Sequence, residues 1–202
     1  DDKNLTKSDE KIEEVEKSDE KIGNLEKSDE KIQKGIVELK IKPHSSIICC
    51  GRRGVGKSFM SKWLIYKMLQ QGIYDTFYLF STTERYSKSF NCFPKECVVN
   101  GFDLKFIQEV IKAQKKRIDK YTKDSPKVAS ILLVFDDLLG SIQTGSHEMN
   151  YLNMLFSTSR HLNIGLLVIS QSCKGLTNPV IRNNADLITW RQINDNYLRS
   201  LY

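Results

Sequence analysis

The chain has 202 residues, 40% of them hydrophobic and 28% charged, and a net charge of +6. Such a length holds one α/β domain with an appendage, and no run of about 18 apolar residues offers a membrane span. No secretory leader is visible, and the five cysteines (49, 50, 92, 97 and 173) follow no disulfide framework, which points to a reducing compartment.

The charge is unevenly placed. Residues 1–34 hold 8 Lys and 12 Asp or Glu and are net −4, so residues 35–202, with 23 basic and 13 acidic side chains, are net +10. A domain that basic favours a polyanionic partner. The first segment repeats Lys-Ser-Asp-Glu-Lys-Ile at 7–12, 17–22 and 27–32. A period of ten slips by about 80° per copy around a helix, so its sparse apolar residues (Leu5, Ile12, Val15, Ile22, Leu25, Ile32) form no straight stripe. With so few of them it buries no core by itself. A charged tail, disordered or partly helical, is expected; an arm that orders on a partner is the sharper alternative.

From Gly35 onward strands and helices alternate. Val37–Ile41 has strand alternation, Pro43 interrupts, and Ser46-Ile-Ile-Cys-Cys50 is a short apolar strand. Residues 51–58 then read Gly-Arg-Arg-Gly-Val-Gly-Lys-Ser, a full match to the P-loop pattern. A helix is expected over Phe59–Gln70, with Met60, Trp63, Leu64, Lys67 and Met68 along one side. That setting suits the motif, because a strand delivers the loop and a helix N-terminus aims N–H groups at an anion. Gly51, Gly54 and Gly56 let the backbone approach the phosphates, with Val55 and Phe59 in the same nucleotide-binding run. Lys57 is expected on the β- and γ-phosphates and the Ser58 hydroxyl on magnesium. Arg52 and Arg53, at the crest, either touch nucleotide or DNA or are simply exposed.

Thr76–Phe80 is a further strand, and Asp103 caps a helix whose apolar positions run from Leu104 to Ile118 and which ends before Pro126. Ile131–Phe135 is apolar throughout, as a parallel strand covered on both faces should be. Ser146 caps a helix with Met149, Leu152, Leu155 and Phe156 inward, and Leu166–Ser170 and Ala185–Trp190 are strands. The alternation predicts an α/β fold, a doubly wound, mostly parallel sheet with helices on both faces.

The Ile131 strand ends in Asp136-Asp137, the Walker B position of a P-loop protein. Asp136 is assigned to magnesium and Asp137 to orienting or deprotonating the attacking water. Gln171 ends the next strand, where an amide can read a γ-phosphate and report its loss. Cys92 and Cys97 lack partners at zinc spacing, since His44, His147 and His161 are scattered.

Taken in order, the P-loop, Asp136-Asp137, Ser159-Arg-His-Leu-Asn-Ile164, Ile169-Ser-Gln171 and Pro179-Val-Ile-Arg-Asn-Asn-Ala-Asp186 resemble the poxvirus-type genome-packaging ATPases of large DNA viruses and their virophages, in the FtsK/HerA branch of P-loop motors. The resemblance covers about residues 44–190 and implies a RecA-like core, a homo-oligomeric ring, ATP hydrolysis with Mg2+, and translocation of double-stranded DNA into a preformed capsid. It also implies an arginine supplied to the neighbour's nucleotide, with Arg160 the first candidate and Arg182 the second. Relatives usually carry Glu at the second Walker B acid, where this chain has Asp137. The chain starts at Asp1 rather than Met and stops soon after the last expected strand, so parts of the natural protein are expected beyond both ends.

Sequence-independent DNA contact is expected of such a motor, because phosphate contacts accept any sequence. Candidates are the loop Gly140–Asn150 and the cluster Lys112, Lys115, Lys116, Arg117, Lys120, Lys123 and Lys127, for which a solvated surface is the other reading. The resemblance further implies capsid proteins as partners and the host cytoplasm or viral factory, or the virion, as the place of action. The rival readings are another FtsK/HerA-type translocase, a small-molecule kinase and a nucleotide-gated binding module.

Overall fold

The apolar runs become the middle of a sheet. In the computed structural model six parallel strands, β1 (Ser46–Gly51), β2 (Thr76–Ser81), β3 (Val98–Asn100), β4 (Ile131–Asp136), β5 (Ile164–Ser170) and β6 (Leu187–Arg191), stand in the order β3-β2-β4-β5-β1-β6. The structure describes residues 41–138, 142–143, 145–171 and 178–191. The repeat tail, the Val37–Ile41 strand apart from Ile41, Gly140 and Cys173 lie outside the described residues. Every residue of β1, β4 and β5 is buried, as strands enclosed on both sides and both faces must be.

Among the described residues five helices accompany them: α1 (Lys57–Gln70), α2 (Glu84–Ser87), α3 (Leu104–Tyr121), α4 (His147–Thr158) and α5 (Pro179–Asn183). Alternate strand residues serve opposite layers. Ile48, Cys50, Leu133, Phe135, Leu166 and Val168 share one core with Ile107 and Ile111 of α3 and Leu152 and Leu155 of α4. Ile47, Cys49, Leu132, Val134 and Leu167, the alternate set, are equally buried, on the side where α1 contributes Leu64, Ile65 and Met68. Each such aliphatic side chain contributes about 1.5–3 kcal/mol by leaving water.

Both expected caps form. The Asp103 carboxylate accepts from Phe106 N at 3.0 Å, and Ser146 Oγ from Met149 N at 3.2 Å. One helix face is corrected: Trp63, expected inward on α1, is 47% exposed. The arc that packs is Lys57, Ser61, Leu64, Ile65 and Met68, and Trp63 lies outside it beside the exposed rings of Phe59 and Tyr66. β3 is a strand the sequence pattern did not announce; three residues at a sheet edge are too few to show a period. β5 starts at Ile164, earlier than expected, and β6 at Leu187, later than expected, because Asp186 is spent on a clip. Its carboxylate accepts from Ser46 N, and its own N–H donates to Ser46 O, both at 2.8 Å.

Polar side chains tie the N-terminal edge of the sheet. The fully buried Gln114 donates from Nε2 to the carbonyls of Ala129 (2.7 Å) and Leu162 (3.0 Å). Asn163 adopts φ 54°, the left-handed region that Asn tolerates better than most residues, and its Nδ2 donates to Lys123 O at 2.8 Å. The most particular segment of the sequence, Arg-His-Leu-Asn-Ile, thus contains a turn residue that launches β5. At Gly165 a Cβ would lie 1.9 Å from the Tyr74 hydroxyl, so only glycine lets that ring lie against the sheet.

Candidate active site

In a parallel sheet every strand ends on the same edge. The P-loop follows β1, Asp136 ends β4, and Gln171 follows β5, which stands between them. Two strand spacings, about 10 Å, therefore separate the loop from Asp136, a gap that suits a phosphate chain and its cation.

Gly54 and Gly56 both sit at φ 81°, a conformation that side chains strain. Gly54 has open space around it, so backbone conformation rather than crowding selects the residue. The first backbone bond of α1 runs from Met60 N to Gly56 O at 3.0 Å. The N–H groups of Lys57, Ser58 and Phe59 precede it and have no helical partner, as an anion site requires. The Phe59 ring is 74% exposed and turned outward, so this residue brings only its backbone to the site. Arg52 and Arg53 are exposed at the crest, and the half-buried Val55 lies between the two φ-positive glycines.

Lys57 is the buried cation of the site. Its Nζ donates to Arg52 O at 2.7 Å, folding the side chain back over the loop. Burial pushes its pKa down, while Asp137 and Asp136 oppose that shift. The ammonium is thus held by a backbone carbonyl, with the two carboxylates acting on it through space.

Asp136 is 8% exposed, and burial pushes its pKa up to about 6. Asp137 and Glu84 add like-charge repulsion, while a hydrogen bond from Ser81 and the charge of Lys57 pull the other way. Ser81 Oγ donates to the Asp136 carboxylate at 3.0 Å. Ser81 was not foreseen as a site residue: it ends β2, and only the strand register sets it directly opposite Asp136. Glu84 was also missed. It is buried, and its carboxylate accepts from Phe90 N at 2.8 Å and Ser87 Oγ at 3.4 Å.

Asp137 takes φ 54°, unusual for a residue with a side chain, and its N–H donates to Ile169 O at 2.8 Å. This turn carries its carboxylate to Gln171, whose side-chain Nε2 donates at 2.7 Å and whose backbone N–H donates at 3.3 Å. The candidate water-orienting acid and the candidate γ-phosphate reader therefore hold each other.

The two candidate arginines are elsewhere. Arg160 is exposed on the 3-10 turn Ser159–Leu162 that precedes β5, and the partly exposed Arg182 lies on α5, which leads into the start of β6. Both positions precede a strand, on the edge opposite the P-loop. Lys112, Lys115, Lys116, Arg117 and Lys120 are exposed on α3, with the Lys120 and Lys127 ammoniums over the Tyr121 ring at 4.9 and 5.0 Å.

Residues 37–191 match the family described as the poxvirus A32 protein. The chain belongs to that family. Its fold is that of solved P-loop NTPases. The genome packaging NTPase B204 of Sulfolobus turreted icosahedral virus 2, in complex with AMPPCP, aligns over 79% of this chain and 81% of its own, with a TM-score of 0.56 and 21% identity. EssC (ATPases 2 and 3) from Geobacillus thermodenitrificans aligns over 79% of this chain and 34% of its own, with a TM-score of 0.59 and 16% identity. No curated protein sequence matches the chain. Among the described residues of this A32-family chain no helix is long and apolar enough to cross a membrane.

Proposed function

We propose that this A32-family protein is the ATPase of a viral genome-packaging motor. It binds ATP with Mg2+, hydrolyses it in a homo-oligomeric ring, and moves double-stranded DNA, whatever its sequence, into a preformed capsid in the host cytoplasm or viral factory. One observation carries the reading: Lys57, Asp136 and the Asp137–Gln171 pair converge on one sheet edge in an A32-family chain. The family match and the fold shared with a packaging NTPase supply the biological direction.

The site residues divide the work. Gly51, Gly54, Gly56 and the N–H groups at the start of α1 cradle the phosphates, and Lys57 exchanges Arg52 O for a phosphate oxygen. Ser58 and Asp136 offer an all-oxygen donor set, the kind magnesium takes. Among the described residues no cluster of three His, Cys, Asp or Glu could hold a metal, which fits an ion held largely by phosphates. When bound, magnesium neutralises charge developing on those phosphates. Asp137 holds the attacking water, and Gln171, which steadies that carboxylate, exchanges it for the γ-phosphate. Arg160, or else Arg182, completes the site of the next subunit, since each faces away from its own.

The test is steady-state ATP hydrolysis against protein concentration, with and without long duplex DNA. Turnover that rises steeply with concentration, is stimulated by DNA and vanishes in Lys57→Ala supports the motor. Slow turnover indifferent to both variables would replace it with a nucleotide-gated binding module. A motor stimulated by DNA but not needed for capsid filling would be another FtsK/HerA-type translocase.

A further inference from the structure

A cavity of about 670 Å³ opens beyond the C-terminal ends of β2 and β3, lined by Ser81, Arg85, Lys88, Phe90, Phe93 and Lys95 among others. From the P-loop strand it is three strand spacings away, about 14 Å, and it meets the candidate active site only at Ser81 and Glu84. Arg85, Lys88 and Lys95 are exposed, and the Arg85 guanidinium lies 4.5 Å from the centre of the Tyr86 ring and donates to its hydroxyl. The one carboxylate in the lining, Glu84, is turned into the loop: it accepts from Phe90 N and Ser87 Oγ, while Glu84 O accepts from Lys88 N at 2.8 Å. These bonds hold Lys88 at φ 48°, a conformation a lysine does not choose for itself. The loop is thus built around a buried acid so as to present cations. Its floor, with the buried Phe90 and half-buried Phe93 and Val98, is apolar.

We infer that this cavity seats the phosphodiester backbone of DNA and reports its presence to the ATPase site. Cations at the rim neutralise phosphates while the apolar floor takes a deoxyribose, a combination that reads no sequence. The report runs through Ser81, which lines the cavity and whose hydroxyl donates to the Asp136 carboxylate and lies 3.3 Å from Thr83 Oγ1. A phosphate drawn to Lys88 or Lys95 pulls on the β2–α2 corner and so on the Ser81 hydrogen bond. The inference rests on the proposed DNA motor.

The experiment compares the full chain with Arg85→Ala/Lys88→Ala/Lys95→Ala, with Lys95→Glu alone as the milder variant. Affinity for a labelled duplex is titrated against salt, and ATPase is measured with and without DNA. The triple variant is expected to keep basal turnover within about two-fold, to lose the DNA-stimulated increment, and to lower the salt slope by about three, near 0.9 per phosphate contact removed. Lys95→Glu should weaken the duplex in the same direction. Ser81→Ala should retain duplex affinity and lose the stimulation. Wild-type stimulation that survives intact in the triple variant overturns the site and leaves the motor standing. A wild-type protein that neither binds duplex nor responds to it overturns both. Inorganic phosphate that binds wild type but not the triple variant, with duplex affinity unchanged between them, would assign the cavity to the released product instead.

Discussion

The two edges of the sheet use the same residue types for opposite ends. Along the N-terminal edge, Asp75, Asp186, Gln114 and Asn163 each spend their side chains on backbone groups, at 2.7–2.8 Å for the shortest bond of each. At the C-terminal edge, Asp136 and Asp137 meet functional side chains as well: Asp136 takes Ser81, Asp137 takes Gln171, and the two acids repel each other. A hydrogen bond to a fixed backbone amide stabilises and cannot be exchanged without cost. Side-chain pairs can trade partners when a ligand comes. One edge is fastened, and the Asp136–Asp137 corner of the other is poised.

The largest expected effects test whether the poised edge is completed from the fastened edge of a neighbour. Lys57→Ala and Arg160→Ala should each lower steady-state ATP hydrolysis by roughly 10³-fold or more, the scale of a transition-state guanidinium. Mixing the two inactive variants should restore turnover at the interfaces that pair an intact Lys57 with an intact Arg160. Equal mixtures that stay silent would move the role to Arg182, where the same mixing applies.

Breaking the Asp137–Gln171 pair should cost less. Gln171→Ala is expected to lower kcat by about 10²-fold, comparable to losing one preorganised donor, with nucleotide affinity, read by fluorescence titration, close to wild type. An unchanged kcat would make the pair structural and move Asp137 to the fastened class.

Asp136 sharpens the contrast through stability. Its pKa is raised in the folded protein to about 6 from an ordinary 3.8. The folded state therefore binds more protons than the unfolded state between those values, and stability contributed by this group is lost as pH rises through about 6. Asp136→Asn should stabilise the nucleotide-free protein by about 2–3 kcal/mol at pH 7, fade to no effect below about pH 4, and abolish turnover. Chemical denaturation at both pH values measures it. Asp186→Ala should do the reverse, costing about 1–3 kcal/mol because Ser46 N–H loses its partner, while turnover per folded molecule stays unchanged.

Much of the fold was legible beforehand. The apolar run at 131–135, the alternation of elements and the caps at Asp103 and Ser146 are local signals, and each became the element it implied. Trp63 misled because an exposed aromatic has the same hydrophobicity as a buried one; only the packed arc of α1 shows which way it turns. Ser81 and Glu84 stayed hidden because a serine and a glutamate in a polar stretch carry no motif.

What the sequence by itself determined is the chemistry of single segments: a loop that cradles phosphates and a strand that ends in acids. Those are properties of neighbours in the chain, set by steric limits on glycine, by helix N-termini and by burial. The tertiary structure decided which segments work together. Ser81 meets Asp136 across 55 residues and Gln171 meets Asp137 across 34, because parallel pairing and its register bring strand ends to one edge. The same register put Arg160 on the other edge, since a side chain before a strand and one after it stand at opposite ends of the sheet.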